Sequence, residues 1–100
     1  MTRVLVVDDD PRLLAALRIN LTARGHTVTT AATGREALTA VGEAVPDLLV
    51  LDLGLPDIDG TDVIRQLRGW TDVPIIVLSG RTAGHDKVAH PVDLRALGQD

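Results

Sequence analysis

An α/β fold with a parallel sheet is what these 100 residues predict. Three features predict it: short apolar runs recur along the chain, a stretch of helical period follows each, and turn or cap residues stand at the junctions. The first run, Val4-Leu5-Val6-Val7, is uninterrupted and rich in β-branched residues, as a strand covered on both faces reads. It stops at Asp8-Asp9-Asp10-Pro11. Asp10 suits the N-cap of the helix that follows, and Pro11 suits its first position, where a missing N–H costs nothing. Leu13, Leu14, Leu17 and Leu21 then repeat at helical spacing, and Gly25 closes the helix.

The second unit opens with His26-Thr27-Val28-Thr29, which alternates and so predicts an edge strand. Thr33 and Glu36 form a capping-box pattern ahead of a helix whose apolar stripe is Ala37, Leu38, Val41 and Ala44. The third strand reads Asp47-Leu48-Leu49-Val50-Leu51 and ends at Asp52. A loop over residues 53–60, rich in Gly, Pro and Asp, leads to a helix carrying Val63, Ile64 and Leu67 that stops near Gly69. The fourth strand reads Pro74-Ile75-Ile76-Val77-Leu78 and ends at Ser79-Gly80. Beyond Ser79 the period fades. Residues 86–90 allow one or two helical turns, Pro91 interrupts them, and Val92, Leu94, Ala96 and Leu97 before Gly98 suggest a last short helix. No fifth apolar run follows. Strands that alternate with helices join by right-handed crossovers into a doubly wound sheet, here with the expected order 2-1-3-4.

Composition narrows the function. A net charge of −4, from ten Lys and Arg against fourteen Asp and Glu, argues against a face that binds nucleic acid. The one aromatic residue, Trp70, offers no platform for stacking bases and reads as the cover of a core edge. Without cysteine there is no disulfide, no thiolate nucleophile and no thiolate metal site. The apolar runs are too short to span a bilayer and the N-terminus does not read as a signal peptide. A cytoplasmic globular module without a membrane partner is therefore expected.

In open parallel sheets, ligands bind beyond the carboxyl ends of the strands. Those ends carry Asp8, Asp9 and Asp10 after the first strand, Asp52 after the third and Ser79 after the fourth. With the first and third strands adjacent, Asp8 or Asp9 faces Asp52 across a short gap. Carboxylates that close repel, and a shared cation relieves the repulsion. Oxygen ligands without His or Cys favour a hard divalent ion, Mg²⁺ above others. A carboxylate beside Mg²⁺ is a competent nucleophile toward phosphorus and forms an acyl phosphate, while the metal offsets charge on the transferring group. Ser79 is placed to donate a hydrogen bond to a phosphate oxygen. Taken singly, the residues have plainer roles. Asp10 reads as a cap, Asp52 and Ser79 as strand-end polar groups, Asp57 and Asp59 as turn residues, and Gly54 and Gly60 as loop geometry. His26, His85 and His90 lack metal-ligand spacing and read as surface residues. The convergence of Asp8, Asp9, Asp52 and Ser79 on one rim is what favours a site.

Three segments carry a resemblance. Val4-Leu5-Val6-Val7-Asp8-Asp9-Asp10-Pro11 is the first. The second runs through the third strand into Asp52-Leu53-Gly54-Leu55-Pro56-Asp57-Ile58-Asp59-Gly60, and the third is Val73-Pro74-Ile75-Ile76-Val77-Leu78-Ser79-Gly80-Arg81. Together they resemble the receiver domain of bacterial two-component response regulators. The third segment, with Asp86-Lys87-Val88 beyond it, is similar to the winged-helix transcription-factor branch, most of all to regulators of potassium-transport operons. The resemblance covers residues 2–88 as a receiver domain and leaves residues 89–100 as an atypical C-terminal segment with no DNA-binding domain. It implies a flavodoxin-like sheet with Asp52 as phosphoacceptor, supplied by a histidine kinase. It implies Mg²⁺ held by Asp9, Asp52 and the backbone carbonyl of Gly54, with Asp8 acting through a water on that ion. By the same resemblance, Ser79 contacts the phosphoryl oxygen and shifts on activation, and Arg81 tunes the lifetime of the phosphate.

Two departures from the family shape the remaining expectations. Relatives carry a lysine after a fifth strand that pairs with the phosphoryl oxygens, and an aromatic switch residue on that strand. Here the single lysine is Lys87, and there is no Tyr or Phe. A receiver shortened before its fifth strand and final helix, with impaired output, is expected. Its fourth strand would be an unprotected apolar edge, so a homodimer is expected, domain-swapped through that strand and residues 83–98. Three functions follow in order: a phosphoacceptor that is not a turnover enzyme; a degenerate receiver acting as a phosphorylation-independent interaction or dimerisation module; and an Mg²⁺ phosphatase with an aspartate nucleophile. For the last, a general acid, a basic phosphate clamp and a lid are not legible.

Overall fold

A computed structural model of the chain describes residues 2–78. Seven elements follow one another there: β1 (Arg3–Val7), α1 (Pro11–Ala23), β2 (Thr27–Ala31), α2 (Gly34–Glu43), β3 (Leu48–Asp52), α3 (Gly60–Arg68) and β4 (Ile75–Leu78). The strands form one parallel sheet in the order β2-β1-β3-β4. This is the order expected from the sequence, with β2 at an edge as its alternating pattern predicts. The expectations for residues 86–90 and 91–97, the shortening before a fifth strand and the boundary at residue 88 lie outside the described residues.

Side chains alternate across a strand, so β1 and β3 feed two layers. Leu5, Val7, Leu49 and Leu51 pack on one face with Ala37 and Val41 of α2 and Val63 and Leu67 of α3. Val4, Val6 and Val50 point the other way, against Leu14, Leu17 and Leu21 of α1. Helices thus lie on both faces, which makes the sheet doubly wound. Each Leu or Val removed from water contributes roughly 1.5–3 kcal/mol, and the strands carry most of that burial. Among the described residues, the α1 side is the thinner layer: α1 has no fully buried residue, while Ile76 and Leu78 of β4 are only half-buried there.

The helix ends follow the expected chemistry. Asp10 caps α1 by accepting the Arg12 N–H at 2.9 Å, and Pro11 takes the first helical position. Gly25 has φ 93° and donates its N–H to the Thr22 carbonyl at 2.9 Å, a left-handed cap that side chains disfavour. Thr33 accepts the Glu36 N–H at 3.0 Å, and Glu36 reaches back past the cap to the Ala32 N–H at 2.9 Å. The box therefore closes one residue earlier than its usual form.

Four expectations need correction. Ala44 is not part of the α2 stripe; it is the exposed C-cap, in extended backbone, and half-buried Ala40 packs against the core instead. Trp70 does not cover a core edge, because 53% of it is exposed. Asp47 stands outside β3, where its carboxylate accepts the Arg3 N–H at 2.8 Å and its own N–H donates to the Arg3 carbonyl at 2.8 Å. Pro74 precedes β4 and contributes only its carbonyl, which accepts the Leu49 N–H at 2.9 Å. Among the described residues, no helix is long and apolar enough to cross a membrane.

Candidate metal centre

The register of the two central strands sets the site. Val7 of β1 lies beside Leu51 of β3, so the next step along both strands brings Asp8 alongside Asp52. Asp8 is 1% exposed and Asp52 3%, the two buried charged residues of the described core. Asp9, one residue on, is exposed, and carboxylate oxygens of Asp8, Asp9 and Asp52 lie within 4.8 Å of one another. Asp8 is fixed from two sides: its N–H donates to the Ala31 carbonyl at 3.1 Å, and its Oδ1 accepts the Asp10 N–H at 2.8 Å. The DDD run thus divides its labour, two residues toward Asp52 and the third to the helix cap.

Two buried carboxylates and a third at the rim form a strongly negative mouth. Carboxylates are hard oxygen donors, and no His or Cys belongs to the cluster. That donor set fits Mg²⁺, which takes one or two carboxylates and keeps other positions for water or phosphate oxygens. Gly54, expected to add its carbonyl, is exposed in the loop two residues past Asp52. Ser79 and Arg81 lie outside the described residues.

The loop after Asp52 is tied at its base and at its tip. Gly60 donates its N–H to the Leu53 carbonyl at 3.0 Å, closing the base. At the tip, Asp57 accepts the Gly34 N–H on Oδ1 at 2.8 Å and the Arg35 N–H on Oδ2 at 3.0 Å. Asp57 is therefore more than a turn residue, since it satisfies two N–H groups in the first turn of α2. Asp59 precedes α3 and serves it through the backbone, its carbonyl accepting the N–H groups of Asp62 and Val63 at 2.9 and 3.2 Å. The sequence carried one signal for the Asp57 contact, in Gly34. Its φ is not positive, so no turn demands glycine there; the reason is close approach. A Cβ would stand 3.1 Å from both Ile58 Cβ and Val63 Cγ2.

Desolvation against α2 pushes the Asp57 carboxyl up, but the N–H groups of Gly34, Arg35, Asp57 and Ile58 outweigh it and hold the group below its ordinary 3.8. A carboxyl with a lowered value binds fewer protons folded than unfolded. Its contribution is complete above 3.8 and is lost as pH falls below that through the folded value. Urea midpoints measured from about pH 6 down to about pH 3 should therefore fall more steeply for wild type than for Asp57→Asn. Parallel curves would show that this carboxylate contributes nothing to acid sensitivity.

The sequence and the fold both have known counterparts. A family model described as the response regulator receiver domain matches residues 4–98. The transcriptional regulatory protein KdpE of Mycobacterium tuberculosis is 60% identical over 88 residues. Those residues are 88% of this chain and 39% of that protein, so the chain spans well under half the length of this relative. Among solved structures, response regulator protein TrrA of Thermotoga maritima in complex with Mg²⁺-BeF superposes with a TM-score of 0.73 at 37% identity, over 77% of this chain and 68% of TrrA. A second structure holds TrrA in complex with the histidine kinase ThkA, with a TM-score of 0.73 at 37% identity over 77% and 67% of the two chains.

Proposed function

This chain belongs to the response regulator receiver domain family, and we propose that within it Asp52 is the phosphoacceptor in Mg²⁺-dependent transfer from a histidine kinase. The observation that carries the proposal is the convergence of Asp8, Asp9 and Asp52 within 4.8 Å at the carboxyl end of the sheet. A complex with Mg²⁺-BeF in one similar structure and with a kinase in another support it.

Asp9, Asp52 and the Gly54 carbonyl would hold the ion, with Asp8 acting through a water on it. Bound there, Mg²⁺ supplies neutralisation of the charge on the transferring group. The chain's own residues do the rest. Asp52 sits at the end of β3, fixed by the pairing of Leu51 with Val7 and Val77 and of Asp52 with Leu78. That rigid mount presents a carboxylate oxygen to phosphorus. The oxygen forms the new P–O bond as the P–N bond of a phosphohistidine breaks, and the imidazole leaves with the electron pair. Ser79, next after β4, donates a hydrogen bond to a phosphoryl oxygen in this reading. The chain is then an acceptor with slow self-hydrolysis rather than a turnover enzyme, in a cytoplasmic setting.

With a small phosphodonor such as acetyl phosphate and Mg²⁺, the wild type should gain about 80 Da, and Asp52→Asn should not. A wild type that never gains that mass refutes the phosphoacceptor role.

One observation favours a second reading. Among the described residues β4 is an outer strand of the sheet, with Ile76 and Leu78 half-buried. A phosphorylation-independent interaction module would bind its partner equally well as Asp52→Asn. That strand is where a second copy would add in a homodimer. Sedimentation as a monomer at micromolar concentration would remove that assembly.

A further inference from the structure

We propose that Asp57 is a positioning residue for the cation site, gripping the start of α2 so that the loop carrying Gly54 is held beside Asp52. The inference rests on the reading of Asp9, Asp52 and the Gly54 carbonyl as the Mg²⁺ ligands, with Asp8 acting through a water, and extends it to a residue outside that set. The geometry is a two-point clamp. Both oxygens of one carboxylate are engaged, on the N–H groups of Gly34 and Arg35 at 2.8 and 3.0 Å, across 23 and 22 residues of sequence. Gly34 is buried against Ile58 and Val63, so the clamp closes on a tight contact. The same loop is closed at its base between Gly60 and Leu53. Residues 53–60 are thereby held at both ends, with Gly54 between the two ties. The N–H groups at a helix start carry partial positive charge, which favours a carboxylate in this place.

Asp57 lies three residues past Gly54 and belongs to no ligand set, so it acts through the loop. Outer residues that orient metal ligands typically change affinity by about tenfold or more when replaced. Coupling of this kind is reciprocal: if the closed clamp favours the ion, the ion must favour the closed clamp. A contact that only stabilises the fold shares in the general stabilisation by Mg²⁺ and responds no more than its neighbours in the same helix.

The test is amide hydrogen exchange on the 100-residue chain with and without Mg²⁺, joined to Mg²⁺ titration by calorimetry. In wild type, Mg²⁺ should slow exchange at Gly34 and Arg35 severalfold. The Glu36 N–H, held in the same helical turn by Thr33 rather than Asp57, should respond less. Asp57→Ala should weaken Mg²⁺ binding by about tenfold, with Asp57→Asn between it and wild type because one acceptor oxygen remains. Gly34→Ala, whose Cβ crowds Ile58 and Val63, should weaken binding in the same direction. Exchange at Gly34 and Arg35 that ignores Mg²⁺ in a wild type that binds it overturns the inference, as does equal slowing at Glu36. A wild type that binds no Mg²⁺ sinks the ligand reading, and the inference with it. The exchange arm needs no variant, so a poorly folding substitution cannot hide the answer.

Discussion

In metal-free buffer, Asp52→Asn is expected to be more stable than wild type by about 1 kcal/mol, and in saturating Mg²⁺ less stable by a similar amount or more. Asp8 and Asp52 are 1% and 3% exposed, and their oxygens lie within 4.8 Å. At an effective dielectric near 20, two unit charges about 5 Å apart repel by about 3 kcal/mol. The amide removes one of the charges and adds N–H donors facing the Asp8 carboxylate. Part of the gain is offset by lost hydration and imperfect hydrogen bonding, which brings the net to about 1 kcal/mol, or roughly 4–8 °C in a domain of this size. Mg²⁺ reverses the order because it binds the folded wild type. At a concentration about one hundred times its dissociation constant it adds about 2.7 kcal/mol, and the variant should gain little. Thermal unfolding of both proteins in chelator and in Mg²⁺ reads the crossover. An Asp52→Asn protein that keeps the full Mg²⁺ response would place the cation elsewhere, and one destabilised in chelator would give the carboxylate a structural task.

The sheet order and the rim carboxylates were legible for one physical reason. Strands buried on both faces must be continuously apolar, so β1 and β3 stand out, β4 reads alike although Ile76 and Leu78 are half-buried, and the residues that end β1 and β3 are the ones that reach the ligand edge. Asp8, Asp9 and Asp52 followed from that and from the order of strands alone. Contacts between distant segments leave a weaker trace. Asp57 was readable as a turn residue because its own neighbours are Pro56 and Ile58, while its partners lie more than twenty residues upstream. The trace in the sequence is Gly34, a glycine opening a helix, and the structure supplies the reason, close approach to Ile58 and Val63 rather than a positive φ. Trp70 misled for the opposite reason: a large apolar residue after a helix suggests burial, yet 53% of it is exposed. Burial depends on what packs opposite, and local sequence does not state that.

Two glycine-to-alanine substitutions should move stability in opposite directions, and one of them should disturb the cation site. Gly60→Ala is expected to cost about 2 kcal/mol, and Gly42→Ala to add about 0.5–1 kcal/mol. Both glycines are helical, so alanine brings each the same kind of entropic gain. Around Gly42 no atom beyond its chain neighbours and its own helix backbone lies within 4 Å of where a Cβ would go, and the gain is kept. At Gly60 the new carbon would lie 2.5 Å from Leu53 Cα, 2.8 Å from Leu53 Cδ2 and 3.0 Å from the Asp52 carbonyl oxygen. Ordinary carbon contacts need about 3.5–4.0 Å. A rotamer change relieves the Cδ2 contact, but the Leu53 Cα and the Asp52 carbonyl are backbone and must shift. That movement strains the Gly60–Leu53 hydrogen bond and displaces the chain between Asp52 and Gly54. Mg²⁺ affinity should therefore drop about tenfold in Gly60→Ala and stay at the wild-type value in Gly42→Ala. Urea unfolding and calorimetric titration of the pair separate the two effects. Should Gly60→Ala lose stability while binding Mg²⁺ as wild type does, the loop would have room to yield without moving its ligands, and the rigid link between α3 and the rim would be refuted.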